Sequence, residues 1–136
     1  MTTIIHRNNQ AKIANQEGVQ VVGTNAPNLN GLNPKELLEA SVGLCTSITL
    51  QKILERDGHK VDSSTITIDV EALKGENVTN RFTNFDIKVT LPDELDEAYK
   101  RKLLVLVERG CTISNTLKGT ATVELLEVSK ATSVNI

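Results

Sequence analysis

The stretch NPKELLEASVGLCTSITLQKILERDG, residues 33–58, decides how this chain folds. It predicts one long helix, because Asn33 is a good N-cap, Pro34 suits the first helical position and Glu36 completes a capping box with Asn33. Gly58 fits the C-terminal cap that ends the helix. Apolar residues cover most of the helix circumference, so the helix should be buried on more than one side. A chain this short can hardly supply that cover alone, and the pattern therefore predicts a dimer.

The elements around this helix are predicted from hydrophobic periodicity. Strands are expected near 2–5 and 19–22 and over 65–72, 85–91 and 121–128. Two further helical segments are expected, one from Asp93 or Asp96 to Arg109 and a short one over 112–117. The order β-β, long helix, β-β, helix, β indicates an α+β fold with an antiparallel sheet.

The length of the chain and its flexible segments predict a single domain over residues 1–136. Its N-terminal strands and a loop rich in Asn, Gly and Pro occupy 1–32. A core of helices and strands occupies 33–128, and a polar tail occupies 129–136.

The composition of the chain excludes several classes of function. The net charge is −2 and aromatic residues make up 2% of the sequence, so there is neither a basic surface nor a stacking platform for nucleic acid. We see no apolar run that approaches the length of a membrane span, and residues 1–10 lack the apolar stretch of a signal peptide. We therefore expect a cytoplasmic protein with no membrane partner.

The two cysteines are the candidate reactive groups, because cysteines in a reducing compartment are seldom structural staples. Cys45 lies in mid-helix beside Gly43, which weakens a helix by about 1 kcal/mol relative to alanine and indicates a closely packed neighbour. Cys111 follows Gly110 and opens a helical turn, where unpaired N–H groups favour a thiolate. Each cysteine can equally be a small buried hydrophobe.

Zinc binding is the competing use of these cysteines. A structural zinc site usually has four ligands at local spacing. The sequence has no Cys-x-x-Cys motif, and neither His6 nor His59 lies next to a cysteine. We therefore expect no metal and no other cofactor.

The two cysteine tracts together resemble the OsmC/Ohr family. The first is similar to the family's Pro-x-Glu-Leu-Leu…Gly-x-Cys helix, matched by Pro34, Glu36, Leu37, Leu38, Gly43 and Cys45. The second is similar to its Cys-Pro-Val-Ser-x-x-Leu segment, matched by Cys111, Ile113, Ser114 and Leu117. The order of elements also agrees from about Gly31 to Val128, and the chain is identified as a member on these grounds.

The resemblance implies a fold and an activity. Members form an intertwined homodimer in which antiparallel sheets pack around long central helices. By carry-over, Cys45 is the peroxidatic cysteine, which reduces an organic hydroperoxide, and Cys111 is the resolving cysteine, which closes a disulfide. A dithiol or a lipoylated protein then restores both thiols, as part of a response to oxidative stress.

The residues that activate the thiolate are where this sequence departs from the family. Family peroxidases use an arginine from the N-terminal region and a glutamate directly after the helix proline. Lys35 stands at that second position here, and Glu36 is one residue further, rotated by about 100° around the helix. Arg7 is the only arginine before the helix, and Lys12 is a weaker substitute. Arg7, Lys35 and Glu36 are therefore the candidates.

Two functions stay open at this point. The first is the reduction of organic hydroperoxides, with an apolar lining expected from Leu38, Val42 and Ile48 that suits an alkyl peroxide. The second is a binding or redox-sensing dimer without peroxidase activity, which the substitution at Lys35 favours.

Overall fold

The computed structural model of the protein describes residues 1–8 and 10–129, with the following order of elements. They are β1 (Thr2–Arg7), β2 (Gln10–Asn15), β3 (Gln20–Gly23), α1 (Pro34–Arg56), a 3-10 turn (Ser63–Thr65), β4 (Thr67–Leu73), β5 (Asn84–Thr90), α2 (Glu97–Gly110) and α3 (Thr112–Lys118). The chain divides into two compact units. The first comprises Met1–Leu37 and the chain from Ala121 onward, and the second comprises Leu38–Thr120.

The first unit contains an antiparallel sheet in the order β1-β2-β3. Ile4 of β1 pairs with Ile13 of β2, which pairs in turn with Val21 of β3. The chain enters the β1–β2 turn through Asn8, whose φ of 51° lies in the left-handed region that asparagine tolerates. The sequence predicted β1 and β3 but not β2.

The start of α1 has the predicted capping box. The Asn33 backbone N–H donates to Glu36 Oε1 (2.9 Å), and the Glu36 N–H donates to Asn33 Oδ1 (2.8 Å). Two amide groups that the helix leaves unpaired are thus satisfied reciprocally. At the other end the helix stops at Arg56, and Gly58 takes a φ of +76°, which is strained for other residues. The predicted bounds of this helix are confirmed.

The second unit places α1 against the two-stranded antiparallel sheet of β4 and β5. In this sheet Val70 pairs with Ile87. A Cβ added to Gly43 would lie 3.2 Å from Val70 Cγ2, so the glycine allows the helix to approach β4 closely. The core of the unit is formed by Leu50, Leu54, Leu95, Leu103 and Val107. The α+β fold with antiparallel sheets is therefore confirmed.

Two sequence-based expectations fail within this chain. The predicted strand at 121–128 has no regular secondary structure, and its apolar residues are exposed, from 68% for Val128 to 97% for Leu125. A strand exists only when another strand satisfies its backbone groups, and the described residues provide no such partner. The long helix is likewise covered only in part, since Leu44 and Ile48 are 64% and 47% exposed. Of the predicted tail, residues 130–136 lie outside the described residues.

By length and composition, α1 is the one helix among residues 1–8 and 10–129 that could cross a membrane, although no apolar run of that length was expected. It has 23 residues, and an 18-residue window within it reaches a mean hydropathy of 1.2. The core helix of a soluble protein passes the same test, and Leu50 and Leu54 place α1 in the core of the second unit. This feature is therefore weak evidence for a membrane.

Candidate functional site

The two cysteines are brought together where α1 meets the junction of α2 and α3. Cys45 lies half-buried on α1, and Cys111 lies between the other two helices with 1% of its surface exposed. A Cβ added to Gly110 would lie 3.2 Å from Thr49 Cγ2, one helical turn beyond Cys45. The glycine before Cys111 therefore lets the end of α2 approach α1 beside the first cysteine.

The sulfur of Cys111 is the centre of a small group of hydrogen bonds. Burial acts to raise the pKa of the Cys111 thiol, but hydrogen bonds, first from the Ser114 hydroxyl and then from the Cys45 thiol, outweigh it and hold this pKa below the ordinary value. The Thr46 hydroxyl also faces Cys111, but it donates to the Val42 carbonyl (2.8 Å). We therefore assign the stabilisation of a Cys111 thiolate mainly to Ser114 and Cys45.

Cys111 also lines a cavity of about 720 Å³ within the second unit. This volume lies in the range of small-molecule sites. Apolar side chains form most of its wall, namely Val42, Phe82, Phe85, Ile87, Val89, Leu104, Val107 and Leu117. We call it the Cys111 pocket. Its volume and lining can hold an alkyl chain beside Cys111.

Three charged side chains line the Cys111 pocket. Lys118 Nζ forms an ion pair with Glu108 Oε1 at 3.1 Å, which offsets both charges. Arg81 has no ion pair or hydrogen bond among residues 1–8 and 10–129. Sequence reasoning missed Arg81, because the family pattern directed the search for a cation to the N-terminal region.

The other predicted site residues lie in different places. Arg7, Lys35 and Glu36 belong to the first unit, where Glu36 caps α1 and Arg7 lines, with Lys12, a cavity of about 280 Å³. Of the three apolar residues predicted to line a substrate site, Val42 lines the Cys111 pocket.

Leu38 and Ile48 are not among the lining residues of the Cys111 pocket. Ile48 lies six residues beyond Val42 on α1, on another side of the helix, and is 47% exposed. Side chains on one helix point in different directions around its axis, so residues of one apolar tract need not share a pocket.

Metal binding needs several ligands grouped in space. Within the part of the chain that the structure describes, no three side chains of histidine, cysteine, aspartate or glutamate are grouped as metal ligands are.

Comparison with known proteins identifies similar folds. The family model described as OsmC-like protein matches residues 23–126. Among functionally curated proteins, no relative matches the chain. A crystal structure of an OsmC-like protein from Mycoplasma pneumoniae is similar with a TM-score of 0.73 and 14% identity, covering 88% of this chain and 86% of that one.

Two similar structures carry more specific names. The organic hydroperoxide resistance protein OhrB of Bacillus subtilis has a TM-score of 0.56 and 21% identity, over 88% of this chain and 91% of that one. An organic hydroperoxide resistance protein from Legionella pneumophila has a TM-score of 0.57 and 14% identity, over 88% and 90%. At such identities the likeness establishes the fold alone.

Proposed function

The chain belongs to the OsmC-like protein family, and from this premise we propose that it reduces organic hydroperoxides with Cys45 and Cys111 as its redox pair. The observation that carries the proposal is the proximity of the two thiols, one of which lines the Cys111 pocket. The names of the B. subtilis and L. pneumophila proteins support a hydroperoxide substrate for the fold.

The proposed reaction has two steps at sulfur. The thiolate of one cysteine attacks the O–O bond, takes up the terminal OH as a sulfenic acid and releases an alkoxide, which a proton converts to the alcohol. The second thiol then attacks the sulfenic sulfur, and water leaves as the disulfide forms. A dithiol or lipoylated-protein reductant supplies the two electrons that restore both thiols.

We assign the first attack to Cys45 and the resolving step to Cys111. Cys45 is the more exposed of the two, and the family resemblance gives it the same role. The hydrogen bonds favour the thiolate on Cys111 in the resting state. Since the two thiols lie close together, transfer of one proton from Cys45 to Cys111 moves the charge to the attacking sulfur.

We further propose that the protein acts as a homodimer. Leu44 and Ile48 are exposed on α1, and the segment 121–128 has alternating apolar residues that are exposed as well. A second copy that covers this helix face and pairs with this segment removes both surfaces from water, as in an intertwined dimer. Reduced thiols are retained in the cytoplasm, where we expect the dimer to work.

The identity of the side chains near the helix start favours a second candidate, a binding or redox-sensing dimer. Lys35 replaces the glutamate of family peroxidases, and the Glu36 carboxylate accepts a hydrogen bond from the Asn33 amide. A Lys35→Glu variant separates the candidates. For a peroxidase limited by this position, we expect faster turnover of hydroperoxide. A sensor gains nothing from the change.

The direct test of the proposal is turnover of cumene hydroperoxide with dihydrolipoamide as the electron donor. We expect consumption by the wild-type protein and its loss in Cys45→Ser. In Cys111→Ser, one oxidation per chain should occur before turnover stops. An Arg101→Gln variant, exposed on α2 and outside the Cys111 pocket, provides the control for expression and purification. Wild-type protein that consumes no hydroperoxide contradicts the proposal.

A further inference from the structure

The unpaired cation of the Cys111 pocket has no role in the chemistry proposed so far. Arg81 precedes β5, and the strand carries Phe85, Ile87 and Val89 along the pocket wall. From Phe85 to Val89 the wall extends about 13 Å, given the rise of a β-strand. The pocket therefore combines a guanidinium with an apolar surface long enough for an alkyl chain.

The charge balance of the pocket points to an anion. Its one acid, Glu108, already has Lys118 as a partner at 3.1 Å. The Lys74 Nζ lies 5.5 Å from the centre of the Phe82 ring, so a second positive charge stands beside the pocket residue that follows Arg81. A guanidinium binds a carboxylate through two parallel hydrogen bonds, which fixes its position as well as its charge.

We propose that Arg81 determines specificity by binding the carboxylate of an alkyl hydroperoxide whose chain lies in the Cys111 pocket. The peroxide group of this substrate then lies beside Cys111, whose neighbour Cys45 is the attacking thiol of the proposed function. The lining of the pocket alone supports recognition of the carboxylate and the alkyl chain. The presence of a peroxide group on the ligand rests on the proposed function.

The test compares two ligands with the same ten-carbon length, one ending in a carboxylate and the other in an uncharged hydroxyl group. Binding of decanoate and decanol to the reduced protein is measured by calorimetry for the wild type, Arg81→Gln, Arg81→Lys and a control, Arg101→Gln. Arg101 is exposed on α2 and does not line the pocket. We expect the wild type and R101Q to bind decanoate at least about tenfold more tightly than decanol. A hydrogen bond to a charged group changes a binding constant by about this factor.

In R81Q this preference should vanish, with affinity for decanol retained, while R81K should keep part of it because the charge remains. Equal affinity of the wild type for the two ligands overturns the proposal. An equal loss of affinity for both ligands in R81Q overturns it as well. A preference that R101Q abolishes to the same extent also overturns it.

A second measurement uses turnover of a hydroperoxydecanoate and its methyl ester. We expect R81Q to raise KM for the acid relative to the ester by a similar factor. Because the binding measurement involves no peroxide, it stands even where turnover is absent. Failure of the proposed function and failure of the role of Arg81 are thus distinguishable.

Discussion

The Cys45 thiol lies close enough to the sulfur of Cys111 to lower the pKa of the Cys111 thiol, although the first lies within α1 and the second joins α2 to α3. The two sulfurs are therefore neighbours while both are reduced, before any oxidant arrives. The close approach at Gly110, whose added Cβ would meet Thr49 at 3.2 Å, helps to bring these elements together.

The thiolate of Cys111 should depend on Ser114. Removing the hydroxyl in Ser114→Ala takes away a hydrogen bond that lowers the Cys111 pKa, so the thiolate should form at higher pH than in the wild type. At a fixed pH below both midpoints, the variant holds less thiolate. The thiolate absorbance near 240 nm, followed against pH, measures the change.

Thr116→Ala is the matched control for this titration, because the Thr116 hydroxyl donates within α3 to Thr112 O at 2.8 Å. It should leave the thiolate midpoint in place. A midpoint that stays unchanged in S114A as well contradicts the assignment of the hydrogen bond.

Glu36 should act on stability through the capping box. Glu36→Ala removes the acceptor for the Asn33 amide and should lower the free energy of unfolding by about 1 kcal/mol. Glu36→Gln keeps an acceptor oxygen and should lose less. Urea unfolding at neutral pH measures both values. If the free energy of unfolding falls by the same amount in both variants, the hydrogen bond from the Asn33 amide to Glu36 does not stabilise the helix.

The exposed face of α1 should hold the dimer. Glutamate at both Leu44 and Ile48 places charges on a surface that we expect to be buried between two copies, so the variant should be monomeric. Light scattering after gel filtration measures the mass. Lys52→Glu, which alters charge at an exposed position of the same helix, should remain dimeric. A monomeric wild type refutes this prediction.

Tyr99 provides a spectroscopic test of the contact between the ends of α1 and α2. Its hydroxyl donates to Asp57 Oδ2 at 2.8 Å, and its ring lies against His59 with a centroid distance of 4.3 Å. Burial, followed by the Asp57 hydrogen bond, raises the pKa of Tyr99 to about 12. The chain has one tyrosine and no tryptophan, so absorbance at high pH reports this residue alone.

In Asp57→Ala the phenolate should form at lower pH, because the negative charge and the acceptor are both lost, although burial still holds the pKa above 10. Asp62→Ala is the control, because Asp62 accepts a hydrogen bond from Ser64 and not from Tyr99. In this variant Tyr99 should titrate as in the wild type. Rapid pH jumps keep the measurement ahead of unfolding. Identical titration of D57A and the wild type contradicts the hydrogen bond.

The parts of the fold that local sequence determines were predictable. The bounds of α1 follow from Asn33, Glu36 and Gly58, which act within a few residues of the helix ends. The strand β2 was missed because Gln10–Asn15 has only one large apolar residue, Ile13, and two alanines with low β-propensity. The segment 121–128 was predicted as a strand from its pattern, but pairing depends on a neighbour that the pattern does not contain.

The candidate site was predictable only in its reactive atoms. The two cysteines and their order came from the sequence, whereas their contact depends on tertiary packing at Gly110. Arg81 had no local signal, since a lone arginine between Asn80 and Phe82 looks like an ordinary loop residue. Its relation to the pocket depends on how β5 and α2 face one another.

The most direct test of the account is the intact mass of the reduced protein after one equivalent of cumene hydroperoxide, measured without a reductant. We predict that the wild type loses two hydrogens within a single chain and that Cys111→Ser instead gains one oxygen at Cys45. If the wild-type mass stays unchanged and both thiols still react with an alkylating agent after unfolding, Cys45 and Cys111 are not a peroxide-reducing pair.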